Sequence, residues 1–168
     1  MASRRVWGNA AGAAACAALL GYALYAEKIL GFEPCPLCMF QRFGVLALGV
    51  AFLVAALHSR RGPVGDSIHS ALLLLVAAFP AYVAGRHVWI QSQPEGSVPS
   101  CGASLDFMLD VFPLMTVVRK VLTGAGECAK VDWSLLGLSM PAWVLLAVVA
   151  LAAWGLWVNL PRRAAVRA

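Results

Sequence analysis

The chain has few charged residues, and this shortage is the first feature that restricts what it can be. Only 12% of its 168 residues are Asp, Glu, Lys or Arg, about half of the ~25% that is usual in soluble domains. Apolar residues make up 61%, against a usual ~45–50%. A soluble chain of this length needs a charged surface. The composition therefore excludes a cytosolic globular protein and a disordered chain, and it indicates a membrane protein.

Sequence features of several other protein classes are also missing. The chain has no Gly-rich nucleotide-binding motif, no internal repeat and no low-complexity tract. Met39 follows the Cys-X-X-Cys pair at the position where a c-type haem site needs a histidine, which excludes haem attachment. The net charge of +5 does not indicate nucleic acid, because the basic residues form short clusters between apolar runs.

Four apolar runs are long enough to cross a bilayer, which takes about 20 helical residues. They predict transmembrane helices at about residues 6–26, 39–57, 68–87 and 141–160. Pro80 lies inside the third run, where a membrane helix tolerates it. Too little chain remains to bury these runs as a soluble core. The sequence therefore predicts one domain, residues 1–168, with the fold of an all-α membrane protein: a bundle of four transmembrane helices.

Basic residues predict the orientation of this bundle. Seven of the thirteen Lys and Arg residues fall on one side of it: Arg4, Arg5, Arg60, Arg61, Arg162, Arg163 and Arg167. The positive-inside rule then places both termini in the cytoplasm, so that loops 27–38 and 88–140 face outward. A cleaved signal peptide ending at Ala26 is disfavoured, because the apolar run is longer than the ~7–15 residues of such a peptide. Lipidation at Cys16 is disfavoured as well.

The long outer loop contains one amphipathic segment, between residues 105 and 122. Its apolar residues recur at spacings of three and four: Leu105, Met108, Leu109, Phe112, Met115, Val118 and Leu122. This pattern predicts a short helix with one apolar face, lying on the membrane surface or packed on the bundle, and the two placements are compatible. The preceding segment, 92–102, is rich in Gly, Pro and Ser and is predicted to be mobile coil.

Four of the five cysteines lie in the two loops that are predicted to face outward: Cys35, Cys38, Cys101 and Cys128. An outward-facing compartment permits disulfides. Cys16 is different, because it lies inside the first apolar run and is expected to be a buried free thiol.

The close pair Cys35 and Cys38 indicates redox chemistry. A structural disulfide across two residues closes a very small loop and contributes little stability, whereas such pairs are often redox-active. No metal is predicted, because a zinc site usually has a second close pair, and Cys101 and Cys128 lie 27 positions apart. Pro36 suits the first turn of a helix, where free backbone N–H groups favour a thiolate at Cys38.

Arg42 follows Cys38 by one helical turn and shares its helix face. An ionisable residue beside a thiol pair at the membrane boundary indicates a functional site, and an interfacial anchor is the simpler alternative. Electrons from the thiols need an acceptor. Nucleotide and haem motifs are absent, and the loops are too short for a flavin domain. A lipid-soluble quinone is the acceptor that a four-helix membrane protein can still reach.

Several motifs of the chain resemble those of the bacterial disulfide bond formation protein B (DsbB) family. They are CPLCMFQR from Cys35 to Arg42, GRHVW from Gly85 to Trp89, PSCG from Pro99 to Gly102, GECA from Gly126 to Ala129, Trp133, and SMP from Ser139 to Pro141. The resemblance covers nearly the whole chain. It implies an enzyme of the bacterial inner membrane that reoxidises a periplasmic dithiol oxidase (DsbA-like) and passes the electrons to ubiquinone or menaquinone.

The resemblance also implies a role for each loop cysteine. Cys101 is expected to form the mixed disulfide with the soluble partner and to pair with Cys128. Cys35 is expected to exchange with that pair, and Cys38 is expected to face the quinone.

Two further positions match quinone-side residues of the family, Arg42 and His87, although a plain helix-end position explains His87 equally well. Gln41 lies where some members carry an acid, so no proton-transfer role is predicted for it. Two alternatives remain open. One is a non-enzymatic four-helix scaffold with two structural disulfides, and the other is a sister oxidase that serves a different periplasmic partner.

Overall fold

The structure, a computed structural model, describes residues 2–58, 62–94, 105–123, 126–131 and 133–160. Its elements follow in chain order: α1 (Ala2–Lys28), α2 (Pro36–Leu57), α3 (Pro63–Gln91), α4 (Leu105–Val111), α5 (Leu114–Thr123), a 3₁₀ turn (Gly126–Ala129), the two-residue strands β1 (Ser134–Leu135) and β2 (Leu138–Ser139), and α6 (Met140–Asn159). The strands pair antiparallel, with Leu135 opposite Leu138. The mobile coil predicted within 92–102 lies largely outside the described residues. So do five of the basic residues that predict the orientation: Arg60, Arg61, Arg162, Arg163 and Arg167.

The predicted four-helix membrane fold is confirmed, and the chain is a multi-pass membrane protein. Helices α1, α2, α3 and α6 are each long and apolar enough to cross a membrane. The first three extend up to five residues beyond the predicted spans, because hydropathy detects the apolar stretch and not the polar turns that continue the helix. Pro80 lies inside α3 without ending it, as expected for a membrane helix.

The four long helices form a ring in the order α1, α2, α3, α6. Helix α1 packs against α2 and α6, and α3 packs against the same two helices from the opposite side. Phe52 lies at the centre of the core, with Leu48, Leu73 and Val148 around it. Small residues let the helices approach closely. A Cβ atom added at Gly44 would lie 2.6 Å from the Cβ atom of Pro80.

Polar contacts join the helices at the end of the bundle where α1 begins and α6 ends. The buried amides of Asn9 and Asn159 donate to each other over 3.0 and 2.8 Å. Arg5 forms an ion pair with Asp66 over 2.6 Å. Buried polar groups need such partners, because no water is available to them. These contacts hold α1 to α6 and to α3.

The prediction of one amphipathic helix over residues 105–122 is wrong in one respect, because the segment forms two helices. Pro113 lacks an N–H group and disfavours helical geometry at Phe112, so α4 ends and α5 begins there. Met108 of α4 and Val117 of α5 are buried against the bundle beside Ile90. Other apolar side chains of the segment are exposed: Phe107, Leu109, Val111, Leu114 and Met115. The segment therefore packs on the bundle and keeps an apolar outer face.

Candidate active site

The close cysteine pair lies at the beginning of α2, as the sequence predicts. Helix α2 starts at Pro36, and Cys35 is its N-cap residue in an extended conformation. The Cys35 Sγ atom accepts a hydrogen bond of 3.4 Å from the backbone N–H of Cys38. The two Sγ atoms are 3.3 Å apart, and both cysteines are free thiols. The first turn of α2 therefore brings both sulfur atoms to the same point at the membrane boundary.

His87 of α3 lies beside this pair and is 2% exposed. Its Nε2 atom is 3.8 Å from the Cys35 Sγ atom and 3.1 Å from the carbonyl oxygen of Cys128. Its Nδ1 atom is 3.0 Å from the Gln41 amide nitrogen. With the amide donating to Nδ1, the ring proton lies on Nε2 and is donated to the Cys128 carbonyl. His87 is thus enclosed by protein near the end of α3, and the quinone role expected for it stays a prediction.

Cys128, in the 3₁₀ turn, brings the long loop to the same point. It is 1% exposed and packs in a cluster with Leu37, Val83 and Ile90. The neighbouring Cys35 thiol lowers the pKa of Cys128 to about 7, although burial opposes the change. The neighbouring Cys128 and Cys38 thiols raise the pKa of Cys35, and burial adds to that rise. Cys101, the other loop cysteine of the prediction, lies outside the described residues.

Arg42 points toward α1. Its guanidinium forms an ion pair with Glu27 and donates a hydrogen bond of 3.0 Å to the carbonyl oxygen of Ala23. Glu27 also pairs with Lys28 over 2.7 Å. Each member of the Arg42–Glu27 pair is 20% exposed, so the charge remains near the membrane boundary. This position suits both an interfacial anchor and a group that binds a ligand, and the quinone-side role of Arg42 stays a prediction.

Two residues of the site have no role in the sequence-based prediction: Gln41, for which a proton-transfer role is not predicted, and Glu27. Each had a signal. Gln41 is a polar residue in an apolar helix and lies on the face of Cys38, three positions away. Glu27 is a carboxylate in the last turn of an apolar helix, where it needs a cation nearby. The prediction for Cys16 is confirmed, since its thiol is buried in the central core.

Comparisons with known proteins identify the family of this chain. Residues 4–158 match the family model of DsbB, disulfide bond formation protein DsbB. The chain is 46% identical over 143 residues to disulfide bond formation protein B of Xanthomonas axonopodis pv. citri, covering 85% of this chain and 83% of that protein. It is 46% identical over 151 residues to the protein of the same name from Chromobacterium violaceum, covering 90% of each. It is also 46% identical over 147 residues to that of Marinobacter nauticus, covering 88% and 87%. No solved structure matches the chain significantly. With a Cys-X-X-Cys motif at the start of a membrane helix, a family model matching residues 4–158 and relatives of one name along most of its length, the chain belongs to the DsbB family of disulfide bond formation proteins.

Proposed function

We propose that this protein is a quinone-dependent protein-disulfide oxidoreductase of the bacterial inner membrane. It reoxidises a periplasmic DsbA-like dithiol oxidase and passes the electrons through two cysteine pairs to ubiquinone or menaquinone. The observation that carries the proposal is the packing of Cys128 against the beginning of a membrane-spanning helix, in one buried cluster with Leu37 and Cys35. That contact joins a loop cysteine to the membrane pair. Family membership supports disulfide chemistry at this point.

The contact defines one exchange step. When Cys35 and Cys38 are joined as a disulfide, the Cys128 thiolate attacks the Cys35 Sγ atom. A bond forms between Cys128 and Cys35, the bond between Cys35 and Cys38 breaks, and Cys38 leaves as a thiolate. The resemblance implies that the preceding step occurs at Cys101. A thiolate of the soluble partner attacks the Cys101 sulfur of a Cys101–Cys128 disulfide, and Cys128 leaves as a thiolate. Both steps are thiol–disulfide exchanges, so electrons move from the partner toward Cys38 without a further reductant.

The residues beyond Cys38 suit a quinone headgroup. Arg42 carries five N–H donors and uses two of its nitrogens on Glu27 and Ala23, which leaves donors for a carbonyl oxygen. Glu27 holds the guanidinium in place at the membrane boundary. A bound quinone supplies the capacity to accept two electrons and two protons. Conversion of the Cys35–Cys38 dithiol to a disulfide releases the same number of each.

Single cysteine replacements test the exchange path. Each of Cys35, Cys38, Cys101 and Cys128 is replaced by alanine, and quinone-dependent reoxidation of a reduced dithiol partner is measured. We expect turnover to be lost in all four variants and kept in the matched control, Cys16→Ala, whose thiol is buried in the core. Full turnover in Cys38→Ala would instead support the non-enzymatic scaffold.

Replacement of Arg42 tests the quinone side separately. Arg42→Met should raise the apparent KM for quinone or lower kcat, because the donors for the carbonyl oxygen are lost. Arg42→Lys should recover only part of the activity, since lysine keeps the charge but not the planar set of donors. Single-turnover oxidation of the partner should stay intact in both. Unchanged quinone kinetics in Arg42→Met would reduce Arg42 to an interfacial anchor.

We also propose that the site faces the periplasm and that both termini are cytoplasmic. Arg4 and Arg5 lie at the beginning of α1, and Cys35 follows the end of α1, so they lie at opposite ends of the bundle. The positive-inside rule then supports this orientation. A reporter that is active only in the periplasm should be silent when fused after Arg167. Reporter activity there would reverse the orientation.

A further inference from the structure

We propose that the dithiol form of the site binds one Zn²⁺ ion, with Cys35, Cys38 and His87 as ligands. The two Sγ atoms and a ring nitrogen of His87 all lie within 4.8 Å of one another. The sequence disfavours zinc because a second close cysteine pair is missing. The structure supplies the third donor from α3 instead, 49 positions beyond Cys38, much further along the chain than the close ligand pairs by which zinc motifs are recognised.

The distances between the donor atoms are close to those around zinc. Zn–S bonds of about 2.3 Å and Zn–N bonds of about 2.0–2.1 Å in a tetrahedron place two sulfur atoms about 3.8 Å apart, and sulfur and nitrogen about 3.6 Å apart. The Cys35 and Cys38 Sγ atoms are 3.3 Å apart, and the Cys35 Sγ atom is 3.8 Å from the His87 Nε2 atom. These two distances therefore need to change by only about 0.2–0.5 Å. Two thiolates and an imidazole favour zinc over magnesium or calcium.

Gln41 allows His87 to act as a ligand. To bind the metal, Nε2 must give up the proton that it now donates to the Cys128 carbonyl. The proton then resides on Nδ1, and a rotation of the Gln41 amide turns its oxygen toward Nδ1 to accept it. Metal-binding histidines usually have such a partner on the second nitrogen. Gln41 is thus a positioning residue for the site.

The three donors leave the fourth coordination position open to a water molecule. Zinc replaces the protons of the thiols that it binds. Two protons leave when Cys35 and Cys38 bind as thiolates. No electron moves in this reaction.

Zinc binding and disulfide formation exclude each other, because a disulfide between Cys35 and Cys38 leaves no thiolate to bind the metal. The ion therefore holds the site in its reduced form. Zinc should therefore inhibit turnover, and a chelator should reverse that inhibition. This consequence rests on the proposed function. The binding itself does not.

Metal titration of the full-length protein tests the inference. The protein, without a histidine tag, is purified in detergent, reduced, and freed of reductant under anaerobic conditions. Zn²⁺ is titrated in competition with a chromogenic chelator, and Co²⁺ is used as a probe because its visible spectrum reports tetrahedral thiolate coordination. We expect one ion per reduced chain and none after oxidation with diamide. Equal binding by reduced and oxidised chains would overturn the inference.

Variants locate the ion. His87→Gln and Cys35→Ser should each weaken binding more than about 100-fold, and Gln41→Leu should weaken it about 10–100-fold, as expected for a partner outside the ligand shell. Cys101→Ser and His69→Gln are the controls and should keep the affinity of the wild type. His69 is a demanding control, because it lies beside a second histidine that could also bind a metal. Its ring centroid is 6.0 Å from that of His58, and both lie at the other end of the bundle from the site.

Two results would overturn the inference: unchanged affinity in both His87→Gln and Gln41→Leu, or loss of binding in His69→Gln. Gel filtration and SDS-induced unfolding of each variant show that a loss of binding is not a loss of fold. Zinc binding at this site in a protein without quinone-dependent turnover would uphold the inference and overturn the proposed function, so the two failures are distinguishable.

Discussion

Replacement of Gln41 by leucine tests whether the hydrogen bond between α2 and α3 holds the site together. Gln41 is 4% exposed, and its amide nitrogen is 3.0 Å from the Nδ1 atom of His87. Leucine keeps most of the side-chain volume but removes the amide. The Nδ1 atom is then left without its partner in a place from which protein atoms exclude water.

The expected cost follows from this burial. A buried polar group that loses its partner costs about 1–3 kcal/mol, whereas hydrogen bonds between helices in a bilayer average ~0.6 kcal/mol and reach ~1.7 kcal/mol. The Gln41–His87 pair lies near the membrane boundary and is enclosed by protein. We therefore expect Gln41→Leu to lower the free energy of unfolding by about 1–2 kcal/mol, a factor of roughly 5–30 in the ratio of folded to unfolded protein.

A double-mutant cycle measures this interaction. Gln41→Leu, His87→Leu and the double variant are unfolded reversibly with SDS in mixed micelles. The coupling energy should be about 1 kcal/mol, because the second replacement removes a group that has already lost its partner. Ser70→Ala is the matched control. Ser70 is buried and donates to the Asp66 carbonyl over 2.9 Å at the opposite end of the bundle.

Ser70→Ala should add to Gln41→Leu within about 0.5 kcal/mol, as distant sites do. If the effects of Gln41→Leu and His87→Leu on the free energy of unfolding are equally additive, the hydrogen bond contributes nothing to stability. The Cys128 carbonyl alone would then orient the His87 ring.

Two further predictions concern helix packing and the reactivity of the loop thiol. Gly44→Ala should lower the free energy of unfolding by about 1–3 kcal/mol, because its new Cβ atom would lie 2.6 Å from the rigid ring of Pro80. Gly21→Ala has open space and should cost nothing or gain up to about 1 kcal/mol; equal effects of the two in SDS unfolding would contradict the packing. In the reduced protein, alkylation of Cys128, followed by peptide mapping, should be half-maximal near pH 7. In Cys35→Ala the midpoint should rise toward 9.0, since the neighbouring Cys35 thiol is gone. An unchanged midpoint would contradict this effect of Cys35 on Cys128.

Features that depend on local chemistry could be predicted from the sequence. The four spans follow from runs of apolar residues, because the bilayer requires a minimum helix length whatever the rest of the chain does. The beginning of α2 follows from Pro36 and Cys35, which act within one turn. The break between α4 and α5 was also present in the sequence, at Pro113. The apolar periodicity on either side of the proline concealed it, since a pattern of three and four continues across a short interruption.

The sequence by itself determined that the chain is a four-helix membrane protein of the DsbB family, with a thiol pair at the start of its second span. Only the tertiary structure decided which side chains meet that pair. His87 reaches Cys35 from another helix, and Glu27 reaches Arg42 from a third. A bilayer requires each helix to span but does not specify its rotation about its own axis. That rotation is set by packing between helices, such as the close approach of Gly44 to Pro80.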